Sequence, residues 1–158
     1  MKRETNMSAR VKEAMGDYRG RKVVAALLGL TALLTVAFWA VFFTDYAGQA
    51  ESYFARQCAG WFLWERSFPA ADLWLAAACL IGAIGLWRRR DWGVLFTLLG
   101  GSALIFLGLM DALFFLQNGL YWPLNADVVV EVIIHLWALT FGPFVIAYVW
   151  QRPNLTTS

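Results

Sequence analysis

The stretch VVAALLGLTALLTVAFWAVFFT, Val23–Thr44, runs for 22 residues without a charged side chain and decides the solvent of the fold. A helix needs about 20 predominantly apolar residues to cross a hydrocarbon core ~30 Å thick. Three more runs of the same character follow at Pro69–Trp87, Trp92–Leu116 and Val128–Trp150. Backbone groups in lipid must be satisfied within the protein, so continuous apolar runs of this length cross as helices. The sequence therefore predicts an all-α, polytopic membrane protein built as an antiparallel four-helix transmembrane bundle.

Composition agrees. The chain of 158 residues is 60% hydrophobic, above the roughly half expected of a soluble domain. A net charge of +2 says little by itself, and no nucleic-acid partner is expected of a chain built mostly of membrane spans. The placement of charge says more than its sum. Seven Lys and Arg precede the first run, Arg88–Arg90 form a trio, and Arg152 follows the last run. Only Arg56 and Arg66 fall on the opposite side. By the positive-inside rule both termini are expected in the cytoplasm, in a multi-pass protein of the plasma (inner) membrane.

This divides the chain into a cytoplasmic basic arm (1–22), a single four-span domain (23–152) and a cytoplasmic tail (153–158). Val11, Ala14, Met15 and Tyr18 recur at helical spacing, which suits a short interfacial helix in the arm. The first apolar run exceeds the 7–15 residues of a cleaved signal and reads as a retained anchor.

Between the first two runs, Tyr46, Ala50, Tyr53, Phe54, Cys58, Trp61 and Phe62 fall on one helical face. That period predicts an amphipathic interfacial helix over about 47–64 on the outer surface. It either anchors the bundle or acts as a lid, in which case Tyr53, Phe54 or Trp61 should cover a pocket. Pro69 suits the first turn of the second span. Arg88-Arg89-Arg90-Asp91 predicts a tight turn between neighbouring antiparallel helices. Gly142-Pro143 predicts a kink in the fourth span.

Cofactor signals are weak. Cys58 and Cys79 form no CxxC pair, and one His in the chain excludes bis-histidine haem ligation. The informative residues are the ionisable ones inside the runs: Asp72, Asp111, Glu131 and His135. At 1.5 Å per residue, all four fall at one depth, in the outer half of the bundle. Asp111 shares its face with Gly100, Gly101 and Gly108, Asp72 with Ala76 and Cys79, and Glu131 and His135 with Ala138 and Gly142. Small residues mark helix–helix contacts in membranes, so all four should point inward.

Asp72 and Glu131 lie in first turns, where the helix dipole favours a carboxylate. Asp111 lies near a C-terminal end, where the dipole opposes it. Asp111 is therefore the leading candidate; its charge needs a proton, His135, a cation or water, and direct or water-bridged reach of His135 or Glu131 is expected. Glu65 and Arg66 read as interfacial, and Thr31 and Thr35 as lining an inner floor or bonding back to their own helix. Glu131, His135 and Asp111 are the candidate metal ligands.

Three functions fit this pattern. One is binding or transport of a small cation or amphipathic ligand in an outer-half polar pocket. The second is integral-membrane enzymology, acid–base or metal-assisted, on a lipidic substrate. The third is a non-catalytic membrane partner subunit. Expected partners are the lipid bilayer, a small cation or lipidic ligand, and a second copy or another membrane chain.

Overall fold

The computed structural model describes the backbone of residues 2–152 and the side chains of residues 20–152. Every regular element there is a helix: α1 (Lys2–Thr44), α2 (Tyr46–Gln49), α3 (Tyr53–Gln57), α4 (Trp61–Glu65), α5 (Pro69–Trp87), α6 (Asp91–Gln117) and α7 (Ala126–Trp150). Gly20–Thr44 of α1, together with α5, α6 and α7, gives four helices long and apolar enough to cross a membrane. The backbone of α1 is helical from Lys2 into the first span. The side chains that would define an interfacial face in the basic arm, and the tail beyond Arg152, lie outside the described residues.

The helices pack in chain order, α1 on α5, α5 on α6 and α6 on α7, while α1 and α7 touch only sparsely. Small residues make the α5–α6 approach close. A Cβ added to Gly85 would collide with the backbone of Gly93, one on Gly82 would lie 3.0 Å from Thr97, and one on Gly100 2.9 Å from Cys79 Sγ. Residue numbers thus rise along α5 as they fall along α6. The α6–α7 seam has the same sense: a Cβ on Gly101 would lie 2.9 Å from Val145, and one on Gly108 2.8 Å from Ala138. Without a hydrophobic force between helices in lipid, such backbone approach is what gains dispersion energy. The turn between α5 and α6 is tight enough to place Arg89 at φ 55°.

Two cores result. Leu28, Ala76, Cys79, Leu86, Phe141 and Val145 belong to one that runs along the spans. Trp39, Phe42, Phe54, Trp61, Phe115 and Val128 belong to the other, at the end that carries α2–α4. Large apolar side chains such as Leu33, Val41, Phe106, Leu109, Ile133 and Leu136 are exposed around the bundle. In water such a belt would be an aggregation surface; against acyl chains it is ordinary.

The single interfacial helix expected over 47–64 is replaced by three short ones. Ser52 turns extended (ψ 167°) and accepts from Ala55 N to cap α3, and Cys58 is again extended (ψ 110°) before α4. The breaks let the segment fold back on the bundle, so that Phe54 meets Phe115 at 5.0 Å and Trp61 at 5.6 Å. Tertiary burial of aromatics has overridden helical periodicity here. In the fourth span, α7 runs as one helix through Gly142 and Pro143.

Candidate functional site

Inside the arc of spans lies a cavity of about 340 Å³, bounded by α1, α5, α6 and α7 and by Glu65 of α4. Its walls along α1 and α7 are mostly apolar, including Leu30, Leu34, Phe38, Ile133, Ile134 and Trp137. Where the two helices face each other, the Trp137 indole N–H donates to Thr31 Oγ1 at 3.1 Å. Thr31 and Thr35 line the cavity and also donate to the carbonyls of Leu27 and Thr31, each at 2.9 Å. Both roles open to them in the sequence are filled at once.

Asp72, Asp111, Glu131 and His135 all line this one cavity. Each is held by a different element. Asp72 Oδ2 accepts from the indole N–H of the buried Trp39 at 2.9 Å, which ties the start of α5 to α1. Its role therefore extends beyond favourable placement in a first turn. Asp111 Oδ1 accepts from the Trp64 indole N–H at 3.3 Å. Trp64 is oriented by stacking on Phe114, with ring centroids 4.5 Å apart and planes 6° from parallel.

The donor facing Asp111 is thus an indole from α4, and Glu131 and His135, the groups expected within its reach, line the same cavity. His135 Nδ1 is 2.9 Å from the Tyr121 hydroxyl, and Nε2 lies 3.9 Å from Glu131 Oε2, one helical turn away. The ring is 4% exposed and is packed edge-on to Phe115 at 5.0 Å. Nε2 itself is buried without a hydrogen-bond partner. A buried polar atom in that state costs about 1–3 kcal/mol, so a partner at this position would be stabilising.

Sequence reading missed Glu65, taken as interfacial. Its position at the end of α4 brings it into the cavity wall beside the other acids. Burial raises its pKa well above the ordinary carboxyl value, and the neighbouring Asp111, Glu131 and Asp72 carboxylates push it further in the same direction. Burial, then Asp111 and Glu131, likewise raises the Tyr121 phenol, so Tyr121 keeps its proton. Trp39 and Trp64, the partners of Asp72 and Asp111, and Tyr121, the partner of His135, were also missed. Trp39 has a visible signal, because it lies four residues beyond Thr35 and eight beyond Thr31, on the face that lines the cavity. The aromatics named as lid candidates, Tyr53, Phe54 and Trp61, belong to the neighbouring aromatic core; α4 reaches the cavity through Glu65 and the Trp64–Asp111 bond instead.

The arrangement gathers four carboxyl groups and one imidazole on a largely apolar cavity, and no Lys or Arg is among its described lining residues. Among the described residues, no three His, Cys, Asp or Glu side chains converge closely enough to hold a metal ion, which leaves the metal-ligand reading of Glu131, His135 and Asp111 without a supporting geometry. Comparison with protein-family models, with curated proteins and with solved structures finds no match to this chain.

Proposed function

We propose that this protein is a plasma (inner) membrane protein whose four spans form an antiparallel bundle with both termini in the cytoplasm. It binds, or passes on, a small cation or amphipathic ligand in a pocket in the outer half of the bundle. The observation that carries the reading is charge imbalance in a confined space. Asp72, Asp111, Glu131 and Glu65 share one cavity whose described lining has no basic side chain. Carboxylates brought together out of water repel one another and pay for desolvation, and a bound cation offsets both terms. The apolar remainder of the cavity suits an organic cation better than a hydrated metal ion, which would demand converging oxygen ligands. The distribution of Lys and Arg supports the orientation.

Titrating decylammonium into the protein in lipid nanodiscs, against empty nanodiscs, tests this. The expected result is a saturable site above lipid partitioning, weakened at least about tenfold in Asp111→Asn and in Glu131→Gln. Equal, non-saturable uptake by wild type and both variants overturns it.

A second reading rests on its own observation. Tyr121, His135 and Glu131 lie in a row, with the hydroxyl 2.9 Å from Nδ1 and Nε2 3.9 Å from the carboxylate, a gap that a substrate hydroxyl would bridge to complete an acid–base relay. Turnover of a lipidic substrate that is lost in His135→Phe would favour the enzyme. Packing alone does not require an open cavity, so the partner-subunit reading stands behind both.

A further inference from the structure

The cavity has two chemically different parts, and together they specify more than a positive charge. One part carries the carboxyl groups and His135. The other is the apolar passage between α1 and α7, the pair of spans that the chain does not pack along their length. We propose that the ligand is a single-chain amphipathic amino alcohol: its ammonium lies among Asp72, Asp111 and Glu131, its hydroxyl bridges His135 Nε2 and Glu131, and its hydrocarbon tail leaves between α1 and α7. This deepens the cation-binding reading and rests on it.

Three observations lead there. First, the acids lack a basic counterpart among the described lining residues, which sets the sign of the head group. Second, His135 Nε2 is buried, borders the cavity and has no hydrogen-bond partner. We assign the Tyr121 O–H as donor to Nδ1, 2.9 Å away, so that Nε2 carries the ring N–H toward the cavity. That donor and the Glu131 oxygen are 3.9 Å apart, too far for a hydrogen bond to each other. A hydroxyl seated between them accepts from Nε2 and donates to the carboxylate; an ammonium, which only donates, satisfies Glu131 but leaves Nε2 orphaned. Third, Leu30, Leu34, Phe38, Ile133, Ile134 and Trp137 line the passage, and Leu34 and Ile133 are also exposed on the outside of the bundle. The passage is therefore continuous with the surface that faces lipid. A tail there trades one apolar neighbour for another, so the site selects by head group while the tail fixes the route of entry.

The test uses three probes of equal chain length, each with a diazirine at the end of the tail: 2-amino-1-decanol, decylamine and 1-decanol. Each is photolysed with the full-length protein in zwitterionic nanodiscs, and adducts are mapped by mass spectrometry. The amino alcohol should label peptides holding Leu34, Ile134 and Trp137 several-fold more than decylamine, and decylamine several-fold more than decanol. In His135→Phe and His135→Gln the amino alcohol should fall to the level of decylamine. If decylamine exceeds decanol in an Asp111-dependent way but the hydroxyl adds nothing, the amino alcohol assignment falls and cation binding stands. Adducts spread evenly over lipid-facing Leu33, Leu109 and Leu113 overturn the α1–α7 route. If both His135 variants lose decylamine labelling too, His135 supports the cavity and does not select the head group. If all three probes label alike, the cation-binding reading itself fails.

Discussion

Trp64 and Asp111, 47 residues apart in sequence, are joined by a hydrogen bond of 3.3 Å from indole N–H to carboxylate. The bond ties a short connecting helix to the one acid that its own helix dipole disfavours. Trp64→Phe keeps the stacking on Phe114 but removes the donor. It should destabilise the protein in detergent by about 1 kcal/mol, the lower range for a hydrogen bond to an ionisable group, because the bond is long. Trp64→Ala should cost about 3 kcal/mol or more, since the ring is lost as well. Equal stability of wild type and Trp64→Phe in chemical unfolding would remove the bond from the account.

Asp111→Asn separates charge from shape. The amide oxygen still accepts from Trp64, so the bundle should unfold within about 1 kcal/mol of wild type. Decylammonium binding should fall at least about tenfold because the counter-charge is gone. Undiminished binding in a folded Asp111→Asn protein would place the cation elsewhere.

Glu65 gives a pH dependence with a definite sign. Its pKa in the folded protein is raised by burial and by the neighbouring acids above the ordinary 4.5. Between those two values the folded state holds a proton that the unfolded chain releases, so stability falls as pH rises, by up to about 1.4 kcal/mol per pH unit for this group. The stabilisation is fully present below the unfolded value and is lost as pH climbs through the folded one. Melting temperatures across that range should slope less in Glu65→Gln than in wild type. Parallel profiles would show that Glu65 does not titrate in this environment.

The Gly85–Gly93 approach is the tightest point of the α5–α6 seam. Gly85→Ala drives a methyl into the Gly93 backbone, which has no flexible end to yield. The expected loss is about 1–3 kcal/mol from overpacking, read as a lower unfolding midpoint. Gly119→Ala is the control for space, since a Cβ there meets nothing, although its φ of 65° is strained for alanine.

Orientation is open to thiol labelling. An impermeant maleimide applied to intact cells should modify the partly exposed Cys58 and spare the buried Cys79. Arg89→Cys should react only after permeabilisation. Labelling of Arg89→Cys from outside would reverse the proposed orientation.

The spans were legible because the bilayer imposes a length and polarity rule on contiguous residues. Pro69–Trp87 was read to the residue, and Trp92–Leu116 and Val128–Trp150 fall within two residues of α6 and α7. The depth and inward direction of Asp72, Asp111, Glu131 and His135 followed from helical rise and from the small residues on each face. Their partners did not follow. A neutral indole from a connecting segment is not a partner for Asp111 that the sequence suggests, since only tertiary placement brings Trp64 there. The same holds for Glu65, whose environment is set by three other helices. The outer segment failed for a related reason: its apolar period fits one helix, but Ser52 and Cys58 break the backbone so that Phe54 and Trp61 can reach Phe115.

The packing of each span on the one before it also bears on how the chain is made. Every helix–helix seam can close as soon as its second helix has emerged, because no span waits for a distant partner. Such local pairing keeps the entropy of closure small, and assembly can keep pace with synthesis. The Thr31–Trp137 bond joins the first span to the last. Its loss in Thr31→Val should therefore leave the rate of membrane assembly unchanged, while loosening the finished protein along the α1–α7 side.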